Sequence, residues 1–209
     1  MRILVFGATG PTGTQVVSQA LSRGHSVTAF VRDRAKLSIA DERLLVEVGD
    51  ATRDATEVAE AVGGQDTVIS ALGVGASFRS SHLIERCMQI IVPAMEQAGV
   101  RRLILLSAFG VGASSRAAPL IPRIFFRTLL REVFADKLAA EELVRKSALE
   151  WTFVYPVMLT NGPLTESYRV GERLKLRGMS KVSRADVAHF ILEEAEKGAF
   201  VRKVAVVSD

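Results

Sequence analysis

Seven residues near the start of the chain, Gly7-Ala8-Thr9-Gly10-Pro11-Thr12-Gly13, have the composition of a turn that can hold a phosphate. Gly7 permits a tight reversal that a Cβ would obstruct. Gly10 lets the backbone approach a pyrophosphate, and Gly13 lets the following helix pack closely. Pro11 suits a first helical turn, where its missing N–H would have no intrahelical partner. The free N–H groups and the helix dipole then favour an anionic ligand. The alternative is a tight strand–helix turn with no ligand.

A second cluster stands at Val31-Arg32-Asp33-Arg34, with Lys36 close by. A dinucleotide site for a free ribose usually carries an acid there, accepting from the 2′-hydroxyl. A guanidinium suits a 2′-phosphate instead, by forked hydrogen bonds, and stacks on adenine. Arg32 is the candidate for that role, with Arg34 adding charge. Asp33 could pair with either arginine or accept from a 2′-hydroxyl. The expected cofactor is NADP(H). In Gly49-Asp50-Ala51, Asp50 is placed to accept from the adenine amino group, or to serve as a turn carboxylate. In Ser70-Ala71-Leu72-Gly73, small residues leave room for the ribose.

These residues need strands that end at one edge. Arg2–Phe6, Ser26–Val31, Leu44–Val48, Thr67–Leu72, Arg102–Ser107, Thr152–Tyr155 and Lys203–Val207 read as strands. Pro11–Arg23, Asp54–Val62, Ser80–Gln97, Leu130–Ser147 and Arg184–Lys197 read as helices. Such alternation calls for a parallel sheet covered on both faces, and right-handed crossovers make it doubly wound. The expected fold is α/β: one Rossmann-type domain over residues 1–209. The stretch 156–181 breaks the alternation and is expected to form a small substrate-side lobe.

Composition sets the outer limits. The chain has 209 residues, 48% hydrophobic and 24% charged, as in an ordinary folded protein. The net charge of +4 comes from scattered basic residues without a helix-turn-helix or RNA-binding signature, so no nucleic-acid partner is expected. No apolar run is long enough to span a bilayer. Met1 runs straight into a strand-like segment, without a signal-peptide pattern. Cys87 is the one cysteine, which excludes an intrachain disulfide and a Cys-based zinc site. A cytoplasmic setting is expected.

The motifs together resemble the atypical short-chain dehydrogenase/reductase group that contains the NmrA-like NAD(P)-binding proteins. The carriers are GATGPTG at 7–13, VRD at 31–33, GDAT at 49–52, GVRRLILLSAFG at 99–110, LEWTFVYPVMLTNGP at 149–163 and SRADVAHFIL at 183–192. Ser107-Ala108-Phe109, Gly162-Pro163-Leu164-Thr165 and His189-Phe190 look most like the flavin reductase (biliverdin-IXβ reductase) branch. The resemblance implies a phosphate loop of Gly7, Thr9, Gly10, Thr12 and Gly13, and a 2′-phosphate contact at Arg32. It implies adenine contacts at Asp50 and Ala51 and ribose contacts at Leu72 and Gly73. It places Ser107 beside the nicotinamide, with Pro156, Val157, Met158 and Leu159 lying along it.

The catalytic pair of the classical superfamily is missing. Tyr155 is followed four residues later by Leu159 and Tyr168 by Glu172, so there is no Tyr-x-x-x-Lys. Ordinary ketone chemistry needs such a tuned proton donor. The flavin-reductase branch often places a histidine where this chain has Met158. Two catalytic candidates remain. Ser107 could donate a hydrogen bond to a substrate or to the nicotinamide amide. Lys137 sits where the group often carries a lysine, and could hold the ribose or orient an acceptor, or be a surface lysine paired with Glu141. His25, His82 and His189 are not expected to be catalytic, and no cluster has metal-ligand spacing. Hydride transfer to a flavin or quinone needs mainly positioning, because the acceptor is already electrophilic. The expected function is NADPH-dependent reduction of a small planar conjugated acceptor by a monomer or homodimer. The alternative is a non-catalytic NADP(H)-sensing regulator; a sugar-nucleotide epimerase fits the missing tyrosine poorly. In Pro119–Phe134, Arg123, Arg127 and Arg131 would form one helical stripe with phenylalanines between, which fits a lid, a dimer face, a membrane-surface helix or ordinary packing.

Overall fold

A computed structural model describes residues 1–75, 81–111, 131–176 and 179–209. The elements are β1 (Arg2–Phe6), α1 (Pro11–Ser22), β2 (Ser26–Val31), a 3₁₀ turn (Arg34–Lys36), β3 (Leu44–Val48), α2 (Ala55–Val62), β4 (Thr67–Ser70) and α3 (Leu83–Ala98). They continue with β5 (Arg102–Leu106), α4 (Arg131–Lys146), β6 (Glu150–Pro156), β7 (Met158–Thr160), β8 (Arg169–Gly171), β9 (Lys181–Ser183), α5 (Arg184–Lys197) and β10 (Lys203–Ser208).

The strands assemble in the order β3-β2-β1-β4-β5-β6-β10-β8. Every adjacent pair is parallel except β10–β8, where β8 closes the edge antiparallel. The order reverses between β1 and β4, which is the switch point where doubly wound sheets take ligands. Side chains alternate across the sheet. Leu4, Phe6, Val68, Leu103, Leu105 and Phe153 face α2, α3 and α4. Ile3, Val5, Ile69, Ile104, Leu106 and Val154 face α1 and α5. A strand buried on both faces must be apolar throughout, which is why β1 reads as an unbroken run. Burying each of its large side chains contributes roughly 1.5–3 kcal/mol.

Two buried carboxylates set the geometry around this core. The α3 N-cap, His82, is left-handed and offers no side-chain cap. Asp136 of α4 replaces it, accepting from the backbone N–H groups of Ile84 at 3.1 Å and Glu85 at 2.8 Å. A negative charge at a helix N-terminus is favourable, so α3 and α4 are locked side by side. On the other face, Glu194 of α5 accepts from Arg102 at 2.6 Å, Thr152 at 3.0 Å and the Phe200 N–H at 2.9 Å. That pair ties β5, β6 and α5 together at the edge away from the glycine turn.

The segment 156–181 divides. β7 pairs with β9, while β8 joins the main sheet. Asp186 pins the intervening loop to α5. It accepts from the N–H groups of Thr165 and Glu166 and from the hydroxyls of Thr165 and Ser183. Periodicity reveals none of β7, β8 and β9, because three-residue strands carry no hydrophobic run and owe their pairing to distant partners. β4 stops at Ser70 rather than Leu72, and β6 runs longer than expected, from Glu150 to Pro156. Of the arginine-striped segment only Arg131–Phe134 is described, in the first turn of α4; Arg123 and Arg127 lie outside the described residues.

Candidate functional site

The glycine turn is built by close approach. Gly7 has φ +78°, and a Cβ on it would stand 2.7 Å from the Ala71 carbonyl at the end of β4. A Cβ on Gly13 would stand 2.1 Å from the Gly7 carbonyl oxygen, so α1 rests directly on the turn. The Gly10 N–H donates to Gly7 O, and the Thr14 hydroxyl donates to Ala8 O and Gly10 O. Gly10 is the N-cap and no side chain caps α1. The first-turn N–H groups are therefore presented at the sheet edge, as an anion requires.

Beside this turn lies a cleft of about 590 Å³. It gathers Gly7, Thr9, Gly10, Arg32, Asp50, Ala51, Leu72 and Gly73, eight of the expected site residues. It also takes in Phe6, Phe30, Arg86 and Cys87, which motif reasoning missed. Phe6 and Phe30 are legible afterwards as late residues of β1 and β2. Arg86 and Cys87 carry no local signal; only the crossover of α3 beside β4 brings them here. Thr12 and Gly13 support the turn without lining the cleft. Arg34 lines a separate open groove with Ile39, Leu44 and Val46.

The electrostatics at the mouth of the cleft are specific. Asp33 caps the 3₁₀ turn, accepting from the Ala35 N–H at 3.0 Å, and lies 3.8 Å from Lys36 Nζ. It binds neither arginine. Asp50 accepts from the N–H and hydroxyl of Thr52 at 3.0 and 2.8 Å and faces Arg53 at 3.6 Å. Those Thr52 hydrogen bonds hold its carboxyl below the usual range, with Arg53 and Arg32 adding attraction. Asp50 is thus a turn carboxylate that also lines the cleft. Arg32 is exposed and stands near Asp50, which Thr52 and Arg53 already engage. Cys87 is 1% exposed, and burial pushes its thiol up to about 12.

Further along the same edge, past β4, lie the ends of β5 and β6. Strands are spaced by about 4.8 Å, so β2 and β6 ends stand roughly 19 Å apart, a span that suits an extended dinucleotide. Ser107 follows β5 and is 5% exposed. Its hydroxyl donates to Glu141 Oε1 at 2.6 Å, while the Tyr155 hydroxyl donates to Oε2 at 2.6 Å and Arg145 donates to Oε2 at 3.2 Å. Glu141 is wholly buried; burial raises its pKa, and the hydrogen bonds from Ser107 and Tyr155 oppose that. Burial also pushes Tyr155 far above the ordinary phenol range, with the Glu141 charge adding to it. Lys137 is no surface lysine. It is half-buried, with Nζ 3.4 Å from Leu106 O, and desolvation lowers it to about 8 against the pull of Glu141 and Asp136. Pro156 accepts from the Phe109 N–H at 3.0 Å, which sets the β6 end against Ser107; Met158 is 43% exposed there.

The histidines are engaged elsewhere: His25 with Met1 and Glu196, His82 with Glu85, and His189 with Tyr168. Among the described residues no group of three His, Cys, Asp or Glu could hold a metal ion, and no helix is long and apolar enough to cross a membrane.

A parallel sheet with a glycine turn at its switch point and a cleft over it defines a Rossmann-type dinucleotide-binding protein. The chain belongs to the NAD(P)H-binding family, whose model matches residues 7–197, in agreement with its resemblance to atypical short-chain dehydrogenases/reductases. It is 34% identical over 171 residues to an uncharacterized chloroplastic protein of Arabidopsis thaliana, covering 78% of this chain and 61% of that one. It is 27% identical over 209 residues to the uncharacterized protein YwnB of Bacillus subtilis, covering 94% and 92%. Among solved structures it is similar to ChuY, an anaerobilin reductase from Escherichia coli O157:H7. The identity is 26%, the TM-score 0.81, and the coverage 99% and 96%.

Proposed function

We propose that this chain is an NADPH-dependent reductase of a planar conjugated acceptor such as a flavin or quinone. The observation that carries the reading is the engagement of Tyr155. Its hydroxyl is spent on Glu141 and that of the other tyrosine, Tyr168, is paired with His189, so neither phenol serves as the acid that ketone reduction requires. An acceptor that is already electrophilic needs no such acid. The similarity over nearly the whole chain to ChuY, a reductase, supports the same chemistry. Three exposed large apolar residues, Met158, Leu164 and Met179, lie in or beside the 156–181 lobe and suit a flat apolar ligand.

When bound, the cofactor supplies the hydride. The chain's residues do the rest. The α1 N-terminus holds the pyrophosphate, Arg32 the 2′-phosphate, and Asp50 with Ala51 the adenine. Leu72 and Gly73 border the ribose, and Pro156 to Leu159 lie along the nicotinamide. Arg34 adds positive charge near the phosphate end. The Lys137 ammonium orients the acceptor, and water supplies the proton that follows the hydride. All of these work within one domain, with the lobe over the acceptor.

The test is NADPH oxidation by the pure protein, followed by loss of its near-ultraviolet absorbance against a panel of flavins and quinones, with NADH in parallel. Turnover with at least one acceptor and a preference for NADPH is expected. Tight NADPH binding without turnover on any acceptor would refute the reductase reading and favour a sensor that binds partners according to cofactor redox state.

A further inference from the structure

We infer that Glu141 is a positioning residue: it takes the hydroxyl proton of Ser107, so that Ser107 meets the nicotinamide carboxamide only as a hydrogen-bond acceptor. This deepens the proposed function: it rests on that reading together with the place beside the nicotinamide that the family resemblance implies for Ser107, next to the Pro156–Leu159 segment.

The argument is one of counting donors. A serine hydroxyl has one proton and two lone pairs. The Ser107 proton points to Glu141 Oε1 at 2.6 Å, the length of a charge-assisted O–H···O⁻ bond. Three donors converge on that carboxylate: Ser107 on Oε1, and Tyr155 with Arg145 on Oε2. Such a set belongs to an ionised acceptor-only group, and leaves no reason for the Ser107 proton to turn away. Arg145 is itself held in place, with its guanidinium 4.7 Å from the Phe153 ring and 5.6 Å from the Trp151 ring. Tyr155 fixes the second oxygen from β6, so the carboxylate cannot rotate without breaking a buried bond. What Ser107 offers outward is therefore lone pairs. The complementary ligand group is an N–H donor, which a carboxamide has and a ketone lacks. Ser107 thus has the opposite polarity to the donor role its sequence position suggests.

The test compares the binding of NADPH with that of its 3-acetylpyridine analogue, in which a methyl ketone replaces the carboxamide, by calorimetry and without turnover. The wild-type chain should prefer the carboxamide about tenfold, the size of one well-made buried hydrogen bond. In Glu141→Gln the amide N–H₂ can donate to Ser107 and release its proton outward, so the preference should fall to near one or reverse. Ser107→Ala should also abolish it, and keeps the inference testable if Glu141→Gln does not fold. Tyr155→Phe leaves the Ser107–Glu141 bond in place and should keep most of the preference. An unchanged preference in Glu141→Gln, with loss in Ser107→Ala, would overturn the inference and leave Ser107 at the nicotinamide. No preference in the wild-type chain would overturn both.

Discussion

Replacing Arg32 with alanine separates the two dinucleotides if the 2′-phosphate assignment is right. Arg32 lines the cleft, is exposed, and stands near Asp50 without being held by it, since Asp50 is occupied by Thr52 and Arg53. Asp33 is turned away into the 3₁₀ turn. The guanidinium therefore needs no existing bond to break before it meets a phosphate. A charge-assisted hydrogen bond contributes about 1.5–3 kcal/mol, and exposure places Arg32 in the lower half of that range. A loss of about 1.5–2 kcal/mol corresponds to roughly a 10–30-fold weaker Kd for NADPH. NADH lacks the phosphate and should lose no more than about twofold, from stacking alone. Calorimetric titration of both proteins with both dinucleotides, at two ionic strengths, measures this. Salt should erode the wild-type affinity for NADPH and leave the variant nearly insensitive. Equal losses for the two dinucleotides, or none, would refute the assignment.

Gly13→Ala should destabilise the fold by about 3 kcal/mol in a denaturant melt, because its Cβ would meet the Gly7 backbone at 2.1 Å. Gly10→Ala, at 3.3 Å from the nearest atom, should cost under about 1 kcal/mol and act mainly on cofactor affinity. Glu194→Ala should cost about 3–5 kcal/mol by leaving buried Arg102 uncompensated, and the double change Arg102→Met with Glu194→Leu should recover most of it. Lys137 has a pKa of about 8 when folded against 10.5 when unfolded. The unfolded chain binds more protons between those values, so stability should rise with pH across that window, and thermal melts of Lys137→Met should lack the rise. If its ammonium serves turnover, the rate should decline as pH rises through about 8, and Lys137→Met should lose that limb. Cys87, pushed up to about 12, should resist alkylation in the native protein at a pH where the denatured chain is labelled fully.

Most of the scaffold was legible in local pattern. β1, β2, β3 and α5 have the bounds that sequence patterning implies. The glycine turn was equally legible, because its requirement is a backbone one that only glycine meets. The half of the cleft that these elements carry followed directly: Arg32, Asp50 and Gly73 each sit one or a few residues after a strand, so strand order alone puts them at one edge. The short strands β7, β8 and β9 and the residues contributed by α3 did not follow, because their neighbours lie far along the chain. The place of Arg34 was not legible for a related reason: two residues beyond Arg32 the chain turns, and Arg34 lines a separate groove.

Local pattern along the chain is enough to define a doubly wound sheet with an anion-binding turn at its first crossover. That follows from strand hydrophobicity and glycine placement, both local properties. What the polar groups around the second half of the edge are able to do depends instead on contacts made across the fold. Ser107 finds its acceptor 34 residues away on α4, and Tyr155 finds the same carboxylate from β6. A hydroxyl's role depends on where its one proton goes, and Lys137's charge depends on how much water the packing of α4 against β5 leaves it. Those are properties of the folded neighbourhood, and no spacing along the chain encodes them.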